Sequence, residues 1–419
     1  MKNDEKYCVA FKNAWGKTAF EIGLKGYGIA DMYRMGIPVP DGFVINTSLC
    51  QNYFRRSKEY RKEILKQAFA EIDRELQQLE ERTGKRLSGS DNCLILSVRS
   101  GAAVSMPGVL ATYCNITNRE ELAVCIEKVL QSWDSERAKM FREQSAVPED
   151  YGTAVIIQQM VNGMESVMSG TGVCCTRNPS SGKNELFGEF LFVAQGEQLV
   201  GGKTIPYGLP EMKKQFPAQY EELTRYAKLL ENHYQSVQEI EFTIEDGKLY
   251  ILQTRKARCS QYAQMMWNND SKSTCEKEMP LGYSKCINKE NYKLLGEGIP
   301  LGIGDIYGRV AYTLEDVNKW KEAGENVIYI CEDLSIEHME AFFKADGIVS
   351  ASGGVTSHAA SLALGAGKRC ITAFRLQNNA DSICVNEKDI AEGTSITLDM
   401  ENGRIYDGML SMSQKKCLN

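Results

Sequence analysis

Gly353-Gly354-Val355-Thr356-Ser357-His358-Ala359-Ala360 (GGVTSHAA) is the stretch from which the rest of the chain can be read. Two glycines precede a Thr-Ser pair and a histidine, and small helix formers continue through Ser361-Leu362-Ala363-Leu364-Gly365. This order predicts a tight turn that delivers one imidazole to the start of a helix. Thr and Ser are cap-type residues, and the open backbone N–H groups and dipole of a helix start favour a negative group. A histidine there can accept a phosphoryl group and hold it. A capped helix that merely begins with His fits the same residues, and the stretch alone does not choose between the two. The chain has three histidines, His233, His338 and His358, so any imidazole chemistry must come from one of them.

With 419 residues, 43% hydrophobic and 25% charged, the chain has ordinary globular composition. At roughly 100–200 residues per domain it has room for two to four domains. A net charge of −6 leaves no broad basic surface, which argues against nucleic acid as a partner. No apolar run approaches the roughly 18 residues of a membrane helix, so no membrane partner is expected. The start, MKNDEKYCVAFKN, lacks the apolar core of a signal peptide, and a cytoplasmic location is expected. The 14 cysteines are scattered from Cys8 to Cys417 without a CxxC pair, and read as reduced, mostly buried small apolar residues.

Upstream of the histidine, several stretches carry possible chemistry. In Gly23-Leu24-Lys25-Gly26-Tyr27-Gly28 a lysine sits between glycines, where nothing obstructs a phosphate; a solvated loop lysine fits equally, and Walker spacing is absent. Residues 52–85 carry Leu65, Phe69, Ile72, Leu76 and Leu79 at helical spacing, one apolar stripe of an amphipathic helix. Cys93 to Val98 reads as a buried strand that delivers Arg99 and then a small-residue loop, Gly101 to Gly108, with Ser105 within it. Arg supplies a bidentate fork and such a loop supplies backbone N–H groups, which suits a polyphosphate cover; a flexible connection with a surface Arg remains open. Gln238 to Ile244 and Leu249 to Arg255 flank Asp246-Gly247, a hairpin signal. Period-2 alternation puts Glu239 and Glu241 on one face, and Gln253 and Arg255 on one face of the partner strand. Hard oxygen donors beside an arginine suit a magnesium–triphosphate site; a solvated face with a cross-strand ion pair also fits. Residues 256–295 read as a polar, irregular linker, and the strands and helices beyond it form a separate α/β domain that carries His358.

Taken together, GLKG, SVRSGAAVSMPG, SGTGVCCTRNPSSG, AQGEQLVGG, IEFTIEDGKLYILQTR and GGVTSHAA resemble the pyruvate, phosphate dikinase family, with phosphoenolpyruvate synthase and rifampin phosphotransferase as more distant likenesses. The motifs keep their order over nearly the whole chain. The resemblance implies an α+β and α/β architecture: an ATP-grasp domain in two subdomains over residues 1–255, a linker over 256–295, a swivelling phosphohistidine domain over 296–410, and a tail over 411–419. It further implies Lys25, Arg99 and Arg255 as phosphate ligands, with Gly101, Ser105 and Gly108 in the cover loop. Glu239, Glu241 and Gln253 would bind Mg²⁺. His358 would be the phosphocarrier, and Thr356 falls where some members carry a regulatory phosphorylation site.

On this resemblance the expected activity is autophosphorylation of His358 from the ATP β-phosphate, with AMP released and phosphate or water receiving the γ-phosphate. The phosphoryl group would then pass to an acceptor on a separate subunit or to a small molecule. The family's pyruvate-binding barrel is expected to be missing, since the chain stops at Asn419, and the usual helical insertion after the cover loop is absent. Glu239 stands where relatives have Asp, Ala103 and Ala111 replace a basic residue and an Asp, and Ser352 and Leu364 stand where relatives have Arg. These departures support an alternative expectation, a non-catalytic nucleotide-binding or regulatory subunit that docks on a full-length relative.

Overall fold

The structure is a computed structural model, and it describes residues 6–55, 57–89, 92–106, 109–200, 206–270, 284–332, 338–354, 358–376 and 389–414. The chain forms two compact units, Met1–Asn162 with Leu249–Thr254, and Gly163–Lys248 with Arg255–Asn419.

The first unit contains β1 (Cys8–Ala10), α1 (Ala19–Arg34), β2 (Gly42–Ile45), α2 (Thr47–Arg55), α3 (Lys58–Thr83), β3 (Leu96–Ala102), β4 (Thr112–Ile116), α4 (Arg119–Ser132), α5 (Glu136–Gln144) and β5 (Thr153–Gln159). Its strands form an antiparallel sheet in the order β1-β2-β5-β3-β4. Leu65, Ile72, Leu76 and Leu79 of α3 are buried in the core that covers this sheet, as their helical spacing requires. The helix ends where Gly84 turns left-handed, at φ 67°. α1 begins with a capping box in which Thr18 and Glu21 satisfy each other's backbone N–H groups.

The second unit opens with β6 (Gly170–Cys175), β7 (Phe187–Phe192), α6 (Gly196–Val200), β8 (Tyr207–Gly208), α7 (Leu209–Gln215), α8 (Pro217–Tyr234) and β9 (Gln238–Glu245). β9, β6, β7 and β8 are neighbours in one antiparallel sheet. The next strand, β10 (Lys248–Lys256), follows a turn in which Asp246 and Gly247 have φ of 46° and 78°. Positive φ at both central positions is the type I′ geometry that Asp-Gly favours. On one face of the sheet Phe190 stacks on Phe242 and packs edge-on against Phe216.

Within residues 256–295, read from sequence as irregular, the chain forms α9 (Gln261–Asp270) and β11 (Ser284–Cys286). Ser260 caps α9 by accepting the Ala263 N–H at 3.0 Å. Trp267 of that helix lies under the Arg177 guanidinium, itself paired with buried Glu231 at 2.9 Å. These contacts come from remote segments, which is why the polar composition of the stretch gave no sign of them. The remaining elements are β12 (Leu294–Leu301), β13 (Ile306–Ala311), α10 (Leu314–Glu322), β14 (Val327–Cys331), α11 (Met339–Lys344), β15 (Gly347–Ser350), α12 (His358–Ala366), β16 (Arg369–Leu376), β17 (Ser395–Asp399), β18 (Arg404–Asp407) and β19 (Met412–Gln414). Seven of these strands close into a barrel in the order β12-β16-β15-β14-β13-β17-β18. One buried cluster unites Val310, Ile328, Ile330, Val349, Ile371, Ile396 and Ile405; alternate residues of the same strands, with Ala341, Phe342, Ala360 and Ala363 of the helices, form another. β19, in what reads as a tail, pairs antiparallel with β11. Among the described residues no helix is long and apolar enough to cross a membrane.

Candidate functional site

In the first unit the candidate residues gather around β3. Lys25, read from sequence as a loop residue between glycines, lies half-buried inside α1. The glycines do not make a loop here. Gly26 packs on the Val44 side chain, and an added Cβ would press on Val44 Cγ2 at 3.2 Å. Gly23 alone breaks the helix, at φ 70° and ψ 159°, and a Cβ on it would overlap the Gly101 carbonyl. Gly101 belongs to β3, which runs three residues past Arg99 and pairs with β5 through Gly101↔Ala154. The small-residue loop therefore begins only after Ala102, and Ser105 is exposed just beyond the strand. Arg99 Nη2 donates to Gln253 Oε1 at 2.8 Å, so the arginine and the amide meet across 154 residues of sequence.

In the second unit the strand register arranges the acids. Val173 of β6 faces Glu241 on one side and Glu189 of β7 on the other. One row along, Cys175 faces Glu239 and Phe187. Residues directly opposite each other share a face, so Glu239, Glu241, Glu189 and Phe187 all lie on the face opposite the phenylalanine stack. Glu239 Oε1 accepts two hydrogen bonds from Arg255, the Nε bond measuring 2.8 Å. Burial pushes the Glu239 carboxyl up from the usual carboxylate range; Arg255 opposes this, and the neighbouring Glu241 charge adds to it. Its second oxygen and the half-buried Glu241 carboxylate are hard oxygen donors on one face of the sheet, the kind a divalent cation takes. The donor set therefore fits Mg²⁺.

Glu189 was not singled out by sequence reasoning, although an acid within FGEFLF was a signal. It is 1% exposed. A Cβ on buried Gly354, four positions before the first residue of α12, would overlap the Glu189 carboxylate. His358 is the first residue of α12. Its side chain, Thr356 and Gly108 lie outside the described residues.

A further acidic group, Cys286, Asp305 and Asp399, has its ligand atoms within 4.8 Å of one another. Asp305 accepts the backbone N–H groups of Cys286 at 2.7 Å and Met400 at 2.8 Å, and Asp399 accepts Lys289 Nζ at 2.6 Å. The protein itself supplies these donors, and the group ties loops together.

Fold and site thus define a mixed α+β chain with an acid-bearing sheet and a barrel region in which His358 is the first residue of a helix. Residues 53–215 and 208–277 match the family described as pyruvate phosphate dikinase, AMP/ATP-binding domain, and residues 323–403 match PEP-utilising enzyme, mobile domain. The chain belongs to the pyruvate, phosphate dikinase family. It is 28% identical to pyruvate, phosphate dikinase from Clostridium symbiosum, over 92% of this chain and 56% of that protein. It is 30% identical to the chloroplastic pyruvate, phosphate dikinase 1 of Oryza sativa, over 92% and 52% respectively. The chain thus spans about half the length of the curated relatives it matches. A solved structure, D-alanyl-alanine synthetase A from Vibrio cholerae, aligns with 59% of this chain and 62% of its own at 15% identity and a TM-score of 0.28, too slight a likeness to argue from.

Proposed function

We propose that this chain is an ATP-dependent phosphotransferase that loads His358. In this reading residues 1–255 are an ATP-grasp domain and residues 296–410 a swivelling carrier. Lys25, Arg99 and Arg255 neutralise the phosphates, and the loop from Gly101 through Ser105 to Gly108 covers them. Glu239, Glu241 and Gln253 hold Mg²⁺, which when bound offsets the charge of the phosphate oxygens. A neutral imidazole nitrogen of His358 attacks the β-phosphorus in line; the N–P bond forms as the bond to the α-phosphate oxygen breaks, and AMP leaves. The γ-phosphoryl group then passes to phosphate or water, and the remaining phosphoryl group goes to an acceptor, a separate subunit or a small molecule.

One observation carries this reading. The two carboxylates and Gly354, four positions before His358, lie on the same face of one sheet, through Val173↔Glu241, Val173↔Glu189 and the Glu189–Gly354 contact. Incubation with β-labelled ATP tests it: wild-type chain takes up acid-labile label and releases AMP, and His358→Ala takes up none. Nucleotide binding without label on wild type sinks the reading and favours a non-catalytic nucleotide-binding subunit.

A further inference from the structure

Ser180 joins three parts of the second unit. Its Oγ accepts the Gly302 N–H at 2.9 Å, and its carbonyl oxygen accepts the Ser260 hydroxyl at 2.7 Å. The β6–β7 turn, the residue that caps α9 and the loop between β12 and β13 are thereby fixed against one another. Gly182 of the turn, at φ 71°, lets α9 come close: a Cβ on it would lie 2.7 Å from Met266 Cβ. Between these three parts lies a cavity of about 430 Å³, within the range of small-molecule sites.

Its lining mixes apolar wall with uncommitted polar groups. Phe187 comes from β7, and Tyr262 and Met266 stand one turn apart on α9. Gly304 is buried, yet among the described residues no acceptor takes its N–H or that of Ile303. Glycine shapes this loop, since Gly302 and Gly304 have φ of 102° and 82°. Buried amides without a partner are rare in native folds, and successive N–H groups in such a loop form a concave anion seat. Lys183 Nζ and the Glu185 carboxylate likewise make no hydrogen bond or ion pair among the described residues. The other charges are taken: Lys285 pairs with Glu401 at 3.1 Å, and Asp305 accepts two backbone N–H groups.

We propose that this cavity binds a zwitterion with a large apolar body, an α-amino acid of the phenylalanine, leucine or methionine kind. Its carboxylate takes the Ile303 and Gly304 N–H groups together with Lys183, and its ammonium takes Glu185. Its side chain lies against Phe187, Tyr262 and Met266. A plain anion would give Glu185 no counter-charge, and a plain cation would leave two amides and a lysine unanswered. The phosphotransferase reading uses none of these groups, so the site stands or falls independently of it.

Isothermal titration of the full chain with L-phenylalanine, L-leucine and L-methionine tests this. At least one of the three is expected to bind, one molecule per chain. Two analogues of the binder are then compared, one without the ammonium and one without the carboxylate (3-phenylpropionate and phenethylamine for phenylalanine). Each should bind at least about tenfold more weakly, the scale of one hydrogen bond to a charged group. Glycine, which has both charges and no side chain, should not bind. Glu185→Gln should weaken the amino acid and spare the analogue without the ammonium. Lys183→Gln should weaken the amino acid and spare the analogue without the carboxylate. Both side chains are exposed, so these variants keep the fold. Amide hydrogen exchange over residues 302–305 should slow when the amino acid binds. The proposal is overturned if none of the three amino acids binds, if neither variant alters binding, or if the analogues bind as tightly as the parent. Slowed exchange confined to other segments overturns it as well.

Discussion

Asp305 and Asp399 lie within ligand distance of a cysteine at the edge of the barrel; Glu239 and Glu241 lie on one face of the second sheet. Spacing alone would favour the first pair as a metal site. The chemistry says otherwise. Asp399 is fully buried and accepts Lys289 Nζ, the Asn402 amide at 2.9 Å, and the backbone N–H groups of Glu401 and Asn402. Burial, with help from Asp305, pushes the Cys286 thiol up to about 12. Glu239, in contrast, leans on one partly exposed arginine, and burial works against its charge. An acid that the fold satisfies holds the fold, whereas an acid that the fold leaves strained is available to a ligand.

That contrast can be broken at either end. The largest effect is expected from Asp399→Ala, which strands Lys289 and removes the cap of the 399–402 turn. Urea unfolding should show a loss of about 3–5 kcal/mol, the scale for one partner of a buried ion pair, with Mg²⁺ binding by the folded fraction intact. A wild-type unfolding midpoint would place Asp399 outside the stabilising network. Next comes Glu241→Gln. It should cost little stability and reduce His358 loading from ATP by about 100-fold, the scale for losing one preorganised electrostatic contact. The rise in thermal midpoint that Mg²⁺ gives wild type should shrink with it; an undiminished rise removes Glu241 from the metal set. The smallest effect is the pH dependence of Glu239. Its folded pKa stands above the unfolded value of about 4.3, so the folded chain binds the extra proton and stability falls as pH rises through that window. Glu239→Gln should flatten this slope by about 1 kcal/mol or less, read from unfolding curves across acid pH.

Local pattern made much of this legible. The stripe Leu65, Ile72, Leu76 and Leu79 is buried where a 3.6-residue period puts it, and Asp246-Gly247 turns with both φ positive. What the sequence hid depends on partners far along the chain. Closure of the barrel needs Leu294 opposite Tyr406 and Gly296 opposite Leu376, pairings that no local period encodes. Lys25 reads as a loop residue because Gly26 looks like punctuation until Val44 is found against it. At the site, the shared face of Glu239 and Glu241 follows from alternation, yet the inclusion of Glu189 needs the register of three strands. Its contact with Gly354 needs a barrel that begins more than a hundred residues later in the chain.

The two-stranded pairing of β11 with β19 sets Ser284 opposite Gln414. The chain thus enters and leaves the barrel region through one clasp, much as a bead hangs from a doubled thread. Regions whose two ends meet at the surface can be excised, permuted or spliced into another chain without stretching either end. In engineering terms, the clasp sets the two ends of residues 284–414 side by side.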